Sequence, residues 1–104
     1  MSGHIHLIGL VKEVLIIGDS KDIVIDTSPE WSKYLSEKGY IGINGCSITI
    51  GKIHDSRFQI HLIPETLKTT NLDNLVFGDE INLELDQSTI VIVDTTERIL
   101  KNKT

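Results

Sequence analysis

The sequence predicts a small all-β protein, an antiparallel barrel of roughly five or six short strands. Three observations support this prediction. Segments of alternating apolar and polar residues recur along the chain, turn residues separate them about every ten positions, and helical periodicity is confined to short stretches. At 104 residues the chain has the size of a single domain with one modest core.

The first part of the chain predicts a hairpin of two strands. Residues 4–17 form a long, mainly apolar run with Gly9 in its middle, and we expect the strand to bend at this glycine. Residues 18–22 carry turn-forming side chains, and residues 22–26 alternate as a second strand. The two segments are close enough along the chain to pair directly.

A short internal helix is predicted after the second strand. Thr27 or Ser28 can cap it, and Pro29 suits its first turn. Gly39 supplies a stop, so we expect the helix to end near Lys38. The apolar residues that share one helical face are Trp31, Tyr34 and Leu35.

The strand pattern returns in the middle of the chain. Residues 40–43 and 47–50 are both strand-like, with Asn-Gly-Cys at 44–46 between them. Asn-Gly favours a tight hairpin turn, although a sharp kink within one strand fits the short spacing as well. Residues 58–62 and 80–85 alternate as further strands, and residues 73–79 are expected to form a connecting loop.

The C-terminal residues change to a helical period, and we predict a helix over residues 88–101. Asp86 or Ser88 can cap its start. Charged residues, among them Asp94 and Glu97, are expected to face away from an apolar stripe. This stripe either packs on the barrel or forms an interface with another molecule. It consists of Ile92, Val93, Thr96, Ile99 and Leu100.

Composition argues against several classes of partner. The net charge is −5, and one Trp, two Tyr and two Phe are too few for a base-stacking surface, so nucleic acid is not expected. Apolar runs stay well short of the ~18 residues of a membrane span, so no membrane partner is expected. The first residues lack a secretory signal and the chain has one cysteine, which favours a cytoplasmic location.

The four histidines raise the question of a metal site, and we expect none. His4 and His6 share a strand face, but no Cys, Asp or Glu completes a recognisable ligand spacing around them. Cys46 has no evident basic partner to lower its thiol pKa, so we interpret it as a small residue in a tight corner.

Two segments indicate a ligand site. The hydroxyls of Ser47 and Thr49 share one strand face, where they form either a solvated surface or hydrogen bonds to a flat heterocycle. In IHLIPETLKTTNL, residues 60–72, Pro64 ends a strand. Glu65 and Thr66 then begin a short helical turn, whose free N–H groups can be capped or can meet a ligand oxygen.

Together these segments resemble riboflavin synthase. The matching stretches are KGYIGINGCSIT at 38–49, HLIPETL at 61–67, TNL at 70–72, and VDT with ER within 93–98. The resemblance covers essentially the whole chain and is to the C-terminal one of the two similar barrels in such an enzyme. It implies a six-stranded antiparallel Greek-key barrel with one internal helix and a C-terminal helix. Residues 1–104 would then be a single lumazine-binding barrel.

The resemblance also implies an activity. That family converts two molecules of 6,7-dimethyl-8-ribityllumazine into riboflavin and 5-amino-6-ribitylaminouracil without a metal or organic cofactor. Each active site lies between the N-terminal barrel of one subunit and the C-terminal barrel of another, so this chain would supply half a site. We therefore expect a homo-oligomer, a dimer of barrels for this chain alone and a trimer for the full-length family. The alternative is a non-catalytic lumazine or flavin carrier like the lumazine proteins.

Site residues follow from the same resemblance. His4 is the candidate for proton transfer, because imidazole titrates near neutral pH, and Ser47 is the candidate that activates or positions the acceptor. Asn44 stands where C-terminal barrels of the family often have Asp, so we expect no acid or base role there. The implied ligand contacts are Gly3, His4, Ile5, Lys38, Asn44, Ser47, Ile48, Thr49, His61, Leu62, Ile63, Pro64, Glu65 and Thr66.

Overall fold

The computed structural model describes residues 4–102, and the side chains of all of these except residues 4, 5, 87 and 88. Six antiparallel strands form a closed barrel in the order β1-β2-β5-β4-β3-β6. In this order β3, β4 and β5 are consecutive neighbours, and the next strand, β6, returns to lie beside β3. This arrangement is a Greek key, so the predicted fold class is confirmed. The strands are β1 (His4–Ile17), β2 (Ser20–Asp26), β3 (Tyr40–Ile43), β4 (Cys46–His54), β5 (Arg57–Leu62) and β6 (Glu80–Asp86).

Inward-facing side chains alternate along the strands and fill the barrel. They are mainly Ile and Leu, packed around Phe58, which is 1% exposed. Because successive residues of a strand point to opposite faces, the polar residues of the same strands lie on the outside of the barrel. The strand residues of the core include Leu7, Val11, Ile23, Ile25, Ile41, Ile43, Ile48, Ile50, Ile60, Leu62, Ile81, Leu83 and Leu85.

The irregularity in β1 lies beyond Gly9. The register between β1 and β2 shifts between Val11 and Glu13, which marks a β-bulge. Gly9 is required for another reason, since an added Cβ would lie 2.7 Å from Leu83 Cδ1 and 2.9 Å from Ile25 Cγ2. The pairing of β1 with β6 is regular through Gly9, so the register irregularity lies further along the strand than this glycine. This glycine makes room for core side chains.

Asn44 and Gly45 form the tight turn between β3 and β4. Ile43 lies opposite Cys46, which leaves a two-residue turn. The φ angles of Asn44 and Gly45 are 48° and 88°, and positive values at both positions are those of the type I′ turn. The hairpin interpretation is confirmed, and the alternative of a kink within one strand was wrong.

The internal helix is shorter than predicted. It is a 3-10 helix over Pro29–Tyr34 and does not reach Lys38. Ser28 occupies the N-cap position without a side-chain hydrogen bond, and Thr27 Oγ1 is buried with no hydrogen-bond partner among the described residues, so the predicted capping was wrong. Leu35 ends the helix because its backbone is extended and its side chain enters the core.

Further helical segments follow the last two strands. Helix α1 (Pro64–Thr69) begins directly after β5, and a 3-10 turn at Leu72–Asn74 replaces the start of the predicted loop. Helix α2 (Gln87–Asn102) extends one residue beyond each end of the predicted 88–101. Within residues 4–102, no helix is long and apolar enough to cross a membrane.

Helix α2 contacts the first 3-10 helix through polar groups. Tyr34 Oη donates a 2.7 Å hydrogen bond to Asp94 Oδ1, and Lys33 Nζ lies 3.2 Å from Glu97 Oε1. Asp94 and Glu97, which were expected to face away from the apolar stripe, are therefore the residues that hold α2 against the 3-10 helix. Much of the apolar stripe is left in solvent instead. The exposed apolar side chains of α2 include Val91, Ile92, Ile99 and Leu100.

These polar contacts predict a pH-dependent stability. The hydrogen bond to Asp94 raises the pKa of Tyr34 above its ordinary value of 10.0, and the hydrogen bond to Glu97 raises the pKa of Lys33 above 10.5. A group whose pKa is raised by folding stabilises the fold below its ordinary pKa, and this contribution is lost as the pH rises through the raised value. We expect Tyr34→Phe to lower the unfolding temperature near pH 8, and the difference from the parent to shrink above about pH 10.

Thermal unfolding followed by circular dichroism at both pH values measures this difference. Tyr40→Phe is the matched control, because the Tyr40 side chain is 74% exposed. If the unfolding temperature of Tyr34→Phe were lower than that of the parent by the same amount at both pH values, the assigned role of the Tyr34 hydrogen bond would be contradicted.

Candidate functional site

A row of outward-facing residues crosses four adjacent strands. Ser47 on β4 lies opposite Gly42 on β3, Gly42 lies opposite Glu84 on β6, and Glu84 lies opposite His6 on β1. Gly42 leaves this row without a side chain at its centre. A hollow therefore opens on the outer surface of the barrel between Ser47 and Glu84, and we call it the Gly42 depression.

The Gly42 depression combines polar and apolar groups in a small volume. It measures about 220 Å³. The hydroxyl groups of Tyr40 and Ser47 and the carboxylates of Glu84 and Asp86 can form hydrogen bonds, while the Tyr40 ring and Cys46 offer apolar contact. This mixture suits a flat heterocycle with polar edges. The lining residues are Tyr40, Ile41, Gly42, Gly45, Cys46, Ser47, Glu84 and Asp86.

A wider polar hollow adjoins the Gly42 depression and shares Gly45 and Glu84 with it. Its volume is about 670 Å³, and its walls are made mainly of hydrogen-bonding side chains. Amides and carboxylates in this arrangement suit a hydroxylated chain better than an apolar group. The other residues that line it are His6, Asn44, Asn71, Glu80 and Asn82.

Asn44 holds the β3–β4 turn against β6. Its Oδ1 accepts a 3.0 Å hydrogen bond from the backbone N–H of Asn82, and its own N–H donates a 2.9 Å bond to the Asn82 carbonyl oxygen. The side-chain oxygen therefore has a structural role. The side-chain amide nitrogen is the group left for the predicted ligand contact.

On β4, the strand that follows this turn, successive side chains face the solvent and the core in alternation. Ser47 and Thr49 are both exposed on the outer face, Ser47 in the Gly42 depression and Thr49 opposite Tyr40. Ile48 lies between them with 9% exposure, and Leu62 on β5 is 1% exposed. Both apolar side chains face the core, so these two predicted contacts can reach a ligand only through their backbone.

The other predicted segment begins at the end of β5. His61 is exposed on the outer face, and Ile63 is 47% exposed where the chain enters α1. Ile63 occupies the N-cap position of α1 and its side chain cannot accept a hydrogen bond, while Pro64 takes the first helical position. Glu65 is exposed and Thr66 is half-buried, so the predicted short helical turn does present polar groups at the surface.

The two segments that the sequence indicated as a ligand site, one on β4 and one at the end of β5, lie towards the same end of their strands. β4 and β5 are antiparallel, and Ile50 lies opposite Ile60. Moving from Ile50 back to Ser47 therefore follows the same direction as moving from Ile60 on to Ile63. The outer surface leads from the Gly42 depression towards α1.

Of the remaining predicted residues, His4 begins β1 and Lys38 lies just before β3. Lys38 precedes β3 with a φ of 69°, and its N–H donates a 2.8 Å bond to the Ile50 carbonyl oxygen. The backbone of His4 lies opposite Asp86, which lines the Gly42 depression. Gly3 and the side chains of His4 and Ile5 lie outside the described part of the structure.

Reasoning from the sequence missed Tyr40, Gly42, Glu84 and Asp86. Strand alternation placed Glu84 on an outer face, but only the pairing of β3 with β6 brings it beside Gly42. A glycine inside the strand YIGI was the available signal, since such a glycine often marks a place where another group approaches closely. Among the residues whose side chains are described, no group of three His, Cys, Asp or Glu is arranged to hold a metal ion.

The closed Greek-key strand order defines the class of protein, a small β-barrel domain. Comparison with known families then gives the particular one. The model of the lumazine binding domain family matches residues 2–86, and this chain belongs to that family.

Individual relatives agree with this assignment. The chain is 41% identical over 101 residues to riboflavin synthase from Escherichia coli (strain K12), covering 96% of this chain and 47% of that protein. It is 39% identical over 103 residues to riboflavin synthase from Chlamydia pneumoniae, covering 96% and 50%. The structure of LumP complexed with riboflavin superimposes with a TM-score of 0.71 at 22% identity, covering 75% of this chain and 42% of that one. The chain spans about half the length of these relatives.

The role of Asn44 gives a stability prediction. Asn44→Ala removes the hydrogen bond to Asn82 and places alanine at a positive φ, and we expect a loss of about 1 to 2 kcal/mol in the free energy of unfolding. Asn44→Asp keeps the acceptor oxygen and tolerates the same φ, so it should stay close to the parent. Urea denaturation of the three proteins makes the comparison, and equal stability of Asn44→Ala and the parent would contradict the role.

Proposed function

We propose that this chain binds 6,7-dimethyl-8-ribityllumazine and riboflavin on the outer surface formed by the Gly42 depression and the polar hollow beside it. We propose further that it supplies half of an active site that converts two lumazines into riboflavin and 5-amino-6-ribitylaminouracil. The observation that supports this most directly is the Gly42 depression, lined by Ser47 and two carboxylates, in a member of the lumazine binding domain family.

The relatives supply the ligand chemistry. Proteins that share 36% to 41% of their residues with this chain over nearly its whole length are riboflavin synthases. Structures of LumP, which have the same fold, were obtained with riboflavin and with 6,7-dimethyl-8-ribityllumazine. The flat pteridine matches the Gly42 depression, and the ribityl hydroxyls match the amides and carboxylates of the polar hollow.

The size of the depression supports a half-site. Sites for drug-sized ligands usually enclose about 300 to 1,000 Å³ and bury most of the ligand surface. The Gly42 depression holds about 220 Å³ and is open on one side. A second barrel placed over that side would enclose a pair of stacked substrates. Holding two reactants in register can contribute about 7 to 11 kcal/mol to lowering the barrier.

The proposed chemistry needs proton transfer and orientation. One lumazine loses a four-carbon unit and the other gains it, so atoms balance without an external oxidant and no metal or organic cofactor is required. His4, at the start of β1, is proposed to move the proton of the reacting methyl group. Ser47 is proposed to position or activate the acceptor lumazine from the wall of the Gly42 depression.

A non-catalytic carrier is the second candidate. The structural likeness to LumP favours it, but that likeness is at 22% identity, while identity to the synthase of Escherichia coli is 41%. Binding alone would serve a carrier, whereas a synthase must also form riboflavin. Turnover by the chain therefore separates the two functions.

Ligand binding should depend on the space above Gly42. A Cβ at this position would lie 3.0 Å from Glu84 Cβ, and the larger Gly42→Val would occupy the depression itself. We expect Gly42→Val to weaken riboflavin binding at least about tenfold and Gly42→Ala to weaken it less. Quenching of riboflavin fluorescence measures the affinity, and thermal unfolding shows whether each variant is folded. Unchanged affinity in a folded Gly42→Val protein would exclude the depression as the site.

Turnover should depend on His4. Incubation of the chain with 6,7-dimethyl-8-ribityllumazine is expected to produce riboflavin, and His4→Gln should reduce the rate about 100-fold or more at the same oligomeric state. His54→Gln is the matched control, because the His54 side chain is 91% exposed at the end of β4. Equal rates for the parent and His4→Gln would rule out proton transfer by His4, and binding without turnover would favour the carrier.

An inter-barrel site also requires self-association. The exposed apolar face of α2, which includes Ile92, Ile99 and Leu100, is the surface we propose for contact between copies. Sedimentation is expected to show a dimer or a larger species, and Ile99→Lys should shift it towards monomer while the exposed Ser36→Lys does not. A monomer at every concentration would contradict the pairing.

A further inference from the structure

A cluster of three polar side chains lies on the outer surface where β5 passes β2. His61 lies opposite Asp22 across the two strands, and Gln59 is two residues before His61 on the same outer face. His61 Nδ1 contacts Asp22 Oδ1, and Gln59 Nε2 donates a 3.0 Å hydrogen bond to Asp22 Oδ2. The Asp22 side chain is 15% exposed, whereas the imidazole is 56% exposed. The carboxylate is therefore held between two partners, and the far edge of the ring is open.

These contacts determine the tautomer of the neutral imidazole. An ionised carboxylate only accepts hydrogen bonds, so Nδ1 of His61 must carry the proton that faces Asp22. In the neutral ring the other nitrogen, Nε2, then has a lone pair and no proton. Because Nδ1 is occupied by Asp22, Nε2 is the nitrogen that can reach a ligand.

We propose that Asp22 is a positioning residue that holds His61 with Nε2 as a hydrogen-bond acceptor for an O–H or N–H group of the bound flavin or lumazine. This inference rests on the proposed function, since it places His61 at the edge of the same binding surface. His61 and Thr49 lie on neighbouring strands, one residue from the pair Ile60 and Ile50, and both face outwards. The surface then leads to Ser47 and the Gly42 depression.

Gln59 determines how the His61 tautomer is expected to change when Asp22 is replaced by asparagine. In Asp22→Asn, the new amide has one oxygen and one NH2 group in place of two equivalent oxygens. Gln59 Nε2 is a donor, so it draws the amide oxygen to its side, and the NH2 group then faces His61. Nδ1 becomes the acceptor and the ring proton moves to Nε2. The edge that meets the ligand changes from acceptor to donor without a large change in shape.

The tautomer is measured directly by nitrogen NMR of the His61 ring in the unliganded full chain, at a pH where the nitrogen shifts show that the ring is neutral. We expect the proton on Nδ1 in the parent and on Nε2 in Asp22→Asn. Asp26→Asn is the matched control on the same strand, because Asp26 accepts a 2.6 Å hydrogen bond from Ser56 Oγ and lies at the other end of β2. It should leave the tautomer and the affinity unchanged.

Riboflavin affinity tests the ligand contact. Replacing an acceptor by a donor opposite a ligand O–H or N–H should weaken binding about 10- to 100-fold in Asp22→Asn. Lumiflavin has the same ring without the ribityl chain, so comparing it with riboflavin shows whether the contact is made by a ribityl hydroxyl group or by the ring N–H. A loss seen only with riboflavin assigns the contact to a hydroxyl group, and a similar loss with both flavins assigns it to the ring N–H.

Several outcomes would overturn the inference. A parent His61 with its proton on Nε2, or Asp22→Asn with the parent tautomer, would exclude the positioning role. A changed tautomer with unchanged affinity for both flavins would exclude the ligand contact. Failure of the unaltered chain to bind either flavin would overturn the proposed function together with that contact. The tautomers, measured without ligand, would still decide the role of Asp22 separately.

Discussion

The structure depends on the insertion of β6 between β1 and β3. This pairing joins the two ends of the strand order and closes the barrel, so that within residues 4–102 no strand of the sheet is left as an open edge. The same pairing places Glu84 beside Gly42 on one side and beside His6 on the other. The strand pairing that closes the barrel therefore also brings the residues of the candidate site together. Residues that are distant in sequence line one hollow because the last strand completes the sheet.

The barrel keeps its core and its candidate chemistry on opposite faces of the same strands. Ile48 and Leu62 point inwards, while Ser47, Thr49 and His61 point outwards. The proposed ligand surface is therefore shallow, because a six-stranded barrel of this size is filled by its own side chains. A shallow surface cannot enclose a substrate, which is the physical reason that a second barrel fits the proposed activity.

Hydrogen bonds of polar side chains connect separate elements on the outside of the barrel. Tyr34 and Asp94 join α2 to the first 3-10 helix, Asn44 joins a turn to β6, and Asp22 joins β2 to His61 on β5. Each uses a polar side chain that its position in a strand, a helix or a turn assigns to the solvent side. Pattern alone could not distinguish a solvated polar residue from one with a specific partner, because both have the same spacing.

The sequence by itself determined most of the strand positions, the shared face of Ser47 and Thr49, and, by resemblance, the family, and it offered the tight turn at Asn44 and Gly45 as one of two alternatives. These depend on local periodicity and on turn residues, which are readable from neighbouring positions. The tertiary structure decided that Gly9 makes room for Leu83, that Asp94 and Glu97 face the 3-10 helix, and that Gly42, Glu84 and Asp86 surround one depression. Those relations join residues far apart in the chain, and the register that closes the barrel is what brings them together.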